Sequence, residues 1–443
     1  MGAYLSAPKT AKESSDGGGS FHSWGCSEMQ GWRTEMEDAH IAISDLQGQN
    51  EGVAMFGVYD GHGGCEVAKF VQNHLPEEMS NGRSDAITSG DMLVEGYHKM
   101  DELLRASQYA EELAGYRRAG SSNGAGGKSR FVSLLQSSIE QDLAELRDRR
   151  AVSRQDTAPV MMKMFVLKKL EASEAAAAAD ASSAAETPPP RSWDVALMTA
   201  LFLSGSQSSG SESTTTEGRA ALFGSPSSGV LNVGCTAVTA LLTKTHLVVA
   251  NAGDSRAILC ECIITAVVVA EELSHDHKPN SDEEKRRIEA AGGYVEEITL
   301  TSKYAVAIAA TQYRVNGNLN LSRAIGDHEY KKRDDLKPEQ QIICSTPDII
   351  VEKLTPEDEF FVLACDGVWD VMSNEDVIEF IRPRIANGQK KLSEIVEELL
   401  DHCMADDPKL SEGIGGDNMT CILVKLDHDE LSSTSASPAS RRV

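Results

Sequence analysis

The chain is poor in three things, and each shortage excludes a class of protein. Positive charge is in deficit: 42 Lys and Arg stand against 68 Asp and Glu in 443 residues, a formal charge of −26. That balance opposes sequence-independent binding to nucleic acid and to anionic lipid, and it favours cations or substrates carrying basic residues. Paired cysteines are lacking. The nine thiols (Cys26, Cys65, Cys235, Cys260, Cys262, Cys344, Cys365, Cys403 and Cys421) are scattered with no CxxC pair and no secretory leader ahead of them, so they read as reduced cytosolic thiols rather than a disulfide framework. Long apolar runs are short: Ile263 to Ala270 and Val195 to Leu203 fall well below the ~20 residues that cross a bilayer as a helix. What is present, 41% apolar residues, suits an ordinary globular core.

The amino terminus MGAYLS fits the Met-Gly-x-x-x-Ser pattern for myristoylation of Gly2. One acyl chain binds membranes only marginally, and Lys9 and Lys12 are a thin basic supplement, so reversible membrane contact is the most this predicts. Residues 1–20, small and polar (SSDGGGS), read as a flexible leader. From Val53 to Tyr59 the chain reads as a buried strand ending in DGHGG, and Val67, Phe70, Val71, His74 and Leu75 then recur at helical spacing. A second helix is predicted over Asp91 to Arg105. Residues 107–229 contain GSSNGAGG, EASEAAAAADASSAAETPPP and SGSQSSGSESTTTEG. Such stretches bury too little apolar surface to offset their ordering entropy, so a low-complexity insertion is expected, with helical islands at Phe131 to Val152 and Val160 to Leu170. After Gly234 the pattern turns to short β-type runs (Thr236 to Leu242, His246 to Ala250, Arg256 to Cys260) joined by turns such as NAGD. A helix EEKRRIEAAGG follows, ended by Gly292 and Gly293, where a left-handed cap falls. Strands at Phe360 to Cys365 and Thr420 to Lys425 flank helices near Asn374 to Arg384 and Leu392 to Met404. Residues 429–443 read as a loose tail, so the folded domain is placed at 21–428.

Four segments set an acidic residue at a turn beside a strand: Glu37 and Asp38 in MQGWRTEMEDAH, Asp60 in VYDGHGG, Asp366 in LACDGVWD and Asp417 in GGDNMT. One Asp-Gly after a strand is usually only a turn. Jointly they suit hard divalent cations, which want several oxygen ligands and keep many of their waters. In DGHGG, Gly61 has no side chain to cover its carbonyl, so an ion could take that oxygen together with the Asp60 carboxylate. Two ions ~3.5–4 Å apart can hold a hydroxide and neutralise a phosphoryl group in an in-line displacement. That chemistry also needs a cation for the phosphate and an acid for the leaving alkoxide; Arg33, through its bidentate fork, and His62, titrating near neutrality, suit these roles.

These residues resemble the protein phosphatase type 2C family, the metal-dependent PPM phosphatases. The matching stretches are MQGWRTEMEDAH, FGVYDGHGG, GCTAVTALL, LVVANAGDSRAIL, HDHKP, EEKRRIEAAGG, RVNGNLNLSRAIGD, FFVLACDGVWDVMSNEDV and GGDNMTCILV, in the family's order over residues 23–105 and 230–428. The resemblance implies an α+β fold in four layers, a β-sandwich of two antiparallel sheets flanked by helices, with metals at one end between the sheets. It implies Mg²⁺ or Mn²⁺ as cofactor: Asp60 bridges two ions, Gly61 gives its carbonyl to one, Asp366 and Asp417 bind the other, and Glu37 and Asp38 hold metal-bound waters. Asp254, in AGDSRA, matches a residue of a weaker third site shared with Asp366; Asp327 is support rather than ligand. Arg33 takes the substrate phosphate and His62 is general acid. The activity implied is hydrolysis of phosphoserine and phosphothreonine in phosphoproteins by a metal-bridging hydroxide without a phosphoenzyme. A monomer is expected, cytoplasmic by its reduced thiols, with the nucleus or an acyl-anchored membrane as further locations.

Two stretches besides the insertion depart from the family's pattern: CECIITAVVVAEE after the GDSRA strand, and YVEEITLTSKYAVAIAATQY beside the family's substrate-facing flap. A cysteine-based phosphatase would need an HCx₅R loop. HCMADDPK at His402 has Lys409 where Arg is required, carries two Asp residues that repel phosphate, and falls in a predicted helix. An inactive phosphoprotein-binding scaffold would be expected to have lost ligands, whereas Asp60, Asp366 and Asp417 are all here. A two-metal enzyme acting on small phosphates or phosphodiesters is a further alternative.

Overall fold

A computed structural model describes residues 4–82, 87–122, 232–264, 267–300 and 310–428. In chain order these form β1 (Tyr4–Gly18), β2 (His22–Arg33), β3 (Ala39–Ile43), β4 (Ala54–Tyr59), β5 (Gly61–His62), helices α1 (Glu66–Asn81), α2 (Asp91–Leu104) and α3 (Ala110–Ser122), then β6 (Gly234–Cys235), β7 (Ala237–Leu242), β8 (His246–Ala252), β9 (Arg256–Ile264) and β10 (Val267–Glu272). They continue with α4 (Asp282–Ala290), β11 (Val295–Leu300), β12 (Ala310–Val315), β13 (Ile325–Gly326), β14 (Asp348–Lys353), β15 (Asp358–Ala364), α5 (Asp366–Trp369), α6 (Asn374–Asn387), α7 (Leu392–Cys403) and β16 (Met419–Leu426).

Alternation along the strands builds two sheets with two buried faces each. In β4, Ala54, Phe56 and Val58 join one apolar cluster while Met55 and Tyr59 join another. In β15, Phe361 and Leu363 face inward, and Phe360 and Val362 face outward. This period of two places every second side chain on the same face. The inward sets of a six-stranded sheet (order β1-β2-β16-β15-β9-β10) and a five-stranded sheet (β14-β8-β7-β4-β3) meet as the sandwich core, where the Phe56 and Phe361 rings pack edge to face at 5.8 Å. The outward sets are covered by α1 and α2 on the five-stranded side and by α6 and α7 on the other. The result is the α-β-β-α layering expected above, with neighbouring strands antiparallel throughout.

Two expectations from composition are corrected. Residues 1–20 are not a loose leader over Tyr4–Gly18: this stretch is the edge strand β1, paired antiparallel with β2 from Tyr4↔Arg33 to Gly18↔Ser23 through register shifts. Strand pairing uses backbone groups, so a polar composition does not prevent it. Polar side chains then anchor it, Lys12 to Asp401 at 2.6 Å, Ser14 to Glu397 at 2.6 Å and Asp16 to Ser393, all on α7. The insertion does not begin at 107 as unstructured chain. α3 docks on α1 with Leu113 buried, His74 2.9 Å from Glu112, and Arg117 Nε donating to Glu66 Oε1 at 2.5 Å. The helical islands predicted at 131–152 and 160–170 lie outside the described residues, as do Gly2 and the tail. CECIITAVVVAEE lengthens β9 and pairs it with β10 as a hairpin at the sheet edge, while the 294–313 stretch supplies the paired arms β11 and β12.

The strands and helices that periodicity predicted outside these stretches fall close to their expected places. α4 ends at Ala290, and Gly292 follows with φ +91° in the left-handed region. All nine cysteines are free, eight of them buried. No described helix is long and apolar enough to cross a membrane.

Candidate metal centre and catalytic site

Antiparallel pairing brings the predicted acids to one end of the sandwich. Asp60 follows the end of β4, Asp366 the end of β15, and Asp254 lies in the β8–β9 turn; Asp38 and Asp417 precede β3 and β16. Because Ala39 pairs with Tyr59 and Met419 with Met29, these strand ends are level with one another. Gly61 allows the DGHGG loop to lie against the Glu37 segment: a Cβ there would stand 2.2 Å from the Glu37 carbonyl oxygen.

Carboxyl oxygens of Asp38 and Asp60 and the Cys365 sulfur lie within 4.8 Å of one another. Asp38 is fully buried; it accepts a hydrogen bond from Thr420 Oγ1 at 2.7 Å through one oxygen, and its other oxygen, Oδ1, has no partner. Burial, with Asp417 and Glu28 adding to it, pushes its pKa up to about 7. Asp60 is raised well above the carboxylate range by burial and by Asp366, Asp38, Asp417 and Asp254. Asp366 is raised likewise by burial, then by Asp417 and Asp254. Like charges gathered out of water oppose ionisation.

Those are the features of a site that fits divalent cations: several carboxylates, an orphaned buried oxygen and mutual repulsion that a cation would relieve. Hard ions select the oxygens. The Cys365 thiol is bonded to the chain instead, accepting from Thr420 N at 3.2 Å and donating to the Asn418 carbonyl at 3.6 Å, and burial holds it well above its ordinary pKa.

Two cations sit at the rim. Arg33, at the end of β2, donates to Asp417 Oδ2 and keeps 37% of its side-chain surface open. Lys278 Nζ, from the HDHKP stretch, donates to Asp254 Oδ2 at 2.6 Å. Asp254 is thus buried against a lysine, at the same end as Asp366 but with a partner of its own.

His62 is placed by the small sheet β13-β6-β5, in which Gly61 pairs with Cys235, His62 with Gly234 and Gly326 with Gly234. Its Nε2 is 2.6 Å from Asp327 Oδ2. A Cβ on Gly234 would come within 2.4 Å of that carboxylate and 2.7 Å of that nitrogen, so only glycine fits below the pair. Burial lowers the imidazole's affinity for a proton, but Asp327 outweighs it and the pKa is raised. The ring keeps 24% of its surface open, enough to be reached from the cleft.

Sequence reasoning passed over several residues. Asn418 ties three segments together: its Oδ1 accepts from Glu37 N at 2.9 Å and its Nδ2 donates to the carbonyls of Gln30 and Glu35 at 2.8 and 3.0 Å. Its place directly after Asp417 was the available signal. Asp370 lies one helical turn after Asp366 and is raised mainly by burial, opposed by Lys278; the i, i+4 spacing in DGVWD could have found it. Cys403, of the rejected HCMADDPK alternative, is buried at the end of α7 with its thiol pushed up to about 12.

The family model described as protein phosphatase 2C matches residues 23–124 and 174–409. The chain is 34% identical to "Probable protein phosphatase 2C 60" of Arabidopsis thaliana over 442 residues, covering 99% of this chain and 96% of that one. It is 33% identical to "Protein phosphatase 2C homolog 2" of Schizosaccharomyces pombe, covering 97% and 79%. Among solved structures it is similar in fold to a phosphatase from a pathogenic strain of Toxoplasma gondii, at 18% identity and a TM-score of 0.50, covering 94% of this chain and 96% of that one.

Proposed function

Because the chain belongs to the protein phosphatase 2C family, we propose that it is a Mg²⁺- or Mn²⁺-dependent protein serine/threonine phosphatase that hydrolyses phosphoserine and phosphothreonine in phosphoproteins without a phosphoenzyme. The observation that carries this reading is the group of carboxylates at one end of the sandwich whose ionisation burial and mutual repulsion oppose. Asp60 and the Gly61 carbonyl, Asp366 and Asp417 would hold two ions, Glu37 and Asp38 would hold their waters, and Asp254 with Asp366 would offer a weaker third site. Ions bound there supply charge neutralisation of the phosphoryl oxygens and acidify the attacking water.

The chain's own residues do the rest. Arg33 presents a planar fork to phosphate oxygens, and Asp417 holds that fork at the rim. Asp327 accepts from His62 Nε2, which leaves Nδ1 to carry the transferable proton to the leaving serine or threonine oxygen. The Asp327 carboxylate raises the imidazole's pKa and so favours the protonated ring. Neither Cys365 nor Cys403 is a thiolate nucleophile, since burial holds both thiols protonated.

The test is phosphate release from a phosphothreonine peptide with Mn²⁺ or Mg²⁺, against EDTA and against Asp366→Asn. Metal-dependent release that the variant lacks is expected. No release from folded protein under either metal would replace this reading with that of an inactive phosphoprotein-binding scaffold.

A further inference from the structure

His62 leans on Asp327, and Asp327 is itself held in an unfavourable conformation. Its φ is +48°, in the left-handed region that side chains other than glycine seldom adopt. Such a residue persists only where its surroundings over-determine it. The Asp327 amide donates to the Val233 carbonyl at 2.9 Å. The other restraints converge on a single carboxylate in the last turn of α2. Asp101 Oδ1 accepts from the Gly326 amide, the residue before Asp327, at 2.7 Å. Asp101 Oδ2 accepts from Lys331 Nζ, one turn after Asp327, at 2.5 Å. Lys331 Nζ also donates to the Ala324 carbonyl at 2.8 Å, and Arg105 from α2 donates to the Lys331 carbonyl at 3.1 Å.

One buried side chain therefore grips both flanks of the short loop whose middle residue orients the imidazole. Asp101 exposes 13% of its side chain and Lys331 4%, so water does not compete for the pair. His328 Nε2 lies 3.5 Å from Asp101 Oδ1 without a hydrogen bond.

We propose that Asp101 is a positioning residue for the acid step: by clamping Gly326 and Lys331 it fixes Asp327 where its carboxylate meets His62 Nε2. Asp101 touches neither substrate nor the acidic cluster. The proposal rests on His62 as general acid, giving its proton to the leaving oxygen as the phosphorus–oxygen bond breaks. A merely structural role would reduce all turnover alike. A role through His62 would reduce turnover only where the leaving group needs a proton, which p-nitrophenyl phosphate does not, because its phenolate departs unprotonated.

The experiment compares wild type, Asp101→Asn, Lys331→Gln and His62→Gln at saturating Mn²⁺ on a phosphothreonine peptide and on p-nitrophenyl phosphate. For Asp101→Asn the expected result is a loss of about tenfold in kcat on the peptide, part of the roughly 10²–10⁴-fold that general acid catalysis supplies, with KM and p-nitrophenyl phosphate turnover within about twofold of wild type. Lys331→Gln opens the clamp from its other side and is expected to split the substrates in the same way, which keeps the test available if one variant folds poorly. Equal losses on both substrates, or no loss on the peptide in folded variants, overturn the proposal. His62→Gln separates the two ideas: if it spares the peptide, the acid assignment fails. Positioning is then decided by the downfield proton resonance of His62 Nε2–H in the metal-free protein, identified by its absence from Asp327→Asn. Its loss in Asp101→Asn supports the clamp; its persistence unchanged overturns it.

Discussion

Two groups of carboxylates in this protein, one around the buried Glu284 and one around the buried Asp38, have opposite chemistry. In one, Glu284 on α4 accepts from Arg323 Nε and Nη2 at 3.0 and 2.8 Å and from Arg287 Nη1 at 2.7 Å, and Ser322 adds a hydroxyl. Arg323 continues to Asp348 at 2.7 Å, which in turn meets His277 at 3.1 Å. Burial works against ionisation of Glu284, but Arg323 and Arg287 outweigh it and hold the pKa at about 2. In the other group, Asp38, Asp60 and Asp366 face one another, and their pKa values rise. Both groups are acidic, and each centres on a carboxylate withdrawn from water. The difference is whether the protein supplies the counter-charge, and it separates an internal strut from a site waiting for a cation.

The comparison breaks first at turnover. Asp60→Asn is expected to lower phosphopeptide hydrolysis by roughly a thousandfold or more, the scale of losing electrostatic stabilisation of a transition state, while circular dichroism stays that of wild type. Near-normal activity would remove Asp60 from the metal centre.

Next comes stability. Glu284→Ala leaves Arg323 buried without its partner and is expected to cost about 3–5 kcal/mol in urea unfolding. The pH dependence has a definite sign. The folded pKa lies below the ordinary value of 4.5, so the stabilisation by Glu284 is complete above pH 4.5 and disappears as pH falls from 4.5 towards 2. A Glu284→Gln protein whose stability ran parallel to wild type through that window would refute it.

The cation site responds in the opposite direction. In EDTA at pH 8, Asp38→Asn removes a charge whose ionisation burial opposes and is expected to stabilise the protein by about 1–3 kcal/mol. Mn²⁺ should raise the melting temperature of wild type more than that of the variant. If Asp38→Asn were destabilising without metal, the likeness to Glu284 would replace the contrast.

The smallest expected effect concerns β1. Ser393 Oγ donates to Asp16 Oδ2 at 2.6 Å and Ser393 N to Asp16 Oδ1 at 2.9 Å, tying the edge strand to the start of α7. Ser393→Ala should cost about 1 kcal/mol, the net worth of one such bond, and should speed amide exchange in β1 before β15.

Legibility in the sequence followed the range of the interaction. The strand over Ala54–Tyr59, the α1 periodicity and the glycine stop of α4 were readable because a repeat of 2 or 3.6 and a positive φ are local properties. β1 was misread because a polar composition hides strand pairing with the adjacent β2, and because its side-chain anchors lie on α7, hundreds of residues away. α3 was misread because its neighbours look like linker while Leu113, Glu112 and Arg117 find partners on α1. Within the site, acids at strand ends could be found one by one. Asn418, Lys278, Asp370 and Asp101 could not, since each matters through what it touches across the fold.

By itself the sequence determined most of the strand and helix pattern and the set of acids placed at strand ends, because alternation and turn chemistry are written along the chain; its ordered series of motifs gave the phosphatase family, and the layered α+β architecture followed only from that resemblance. Only the tertiary structure decided which carboxylates are neutralised and which are left facing one another. That depends on distances between segments far apart in the chain: Arg323 reaches Glu284, Lys278 reaches Asp254, Asp327 reaches His62, and the buried Oδ1 of Asp38 has no partner. Charge becomes chemistry here through burial and proximity, and neither quantity exists until the chain has folded.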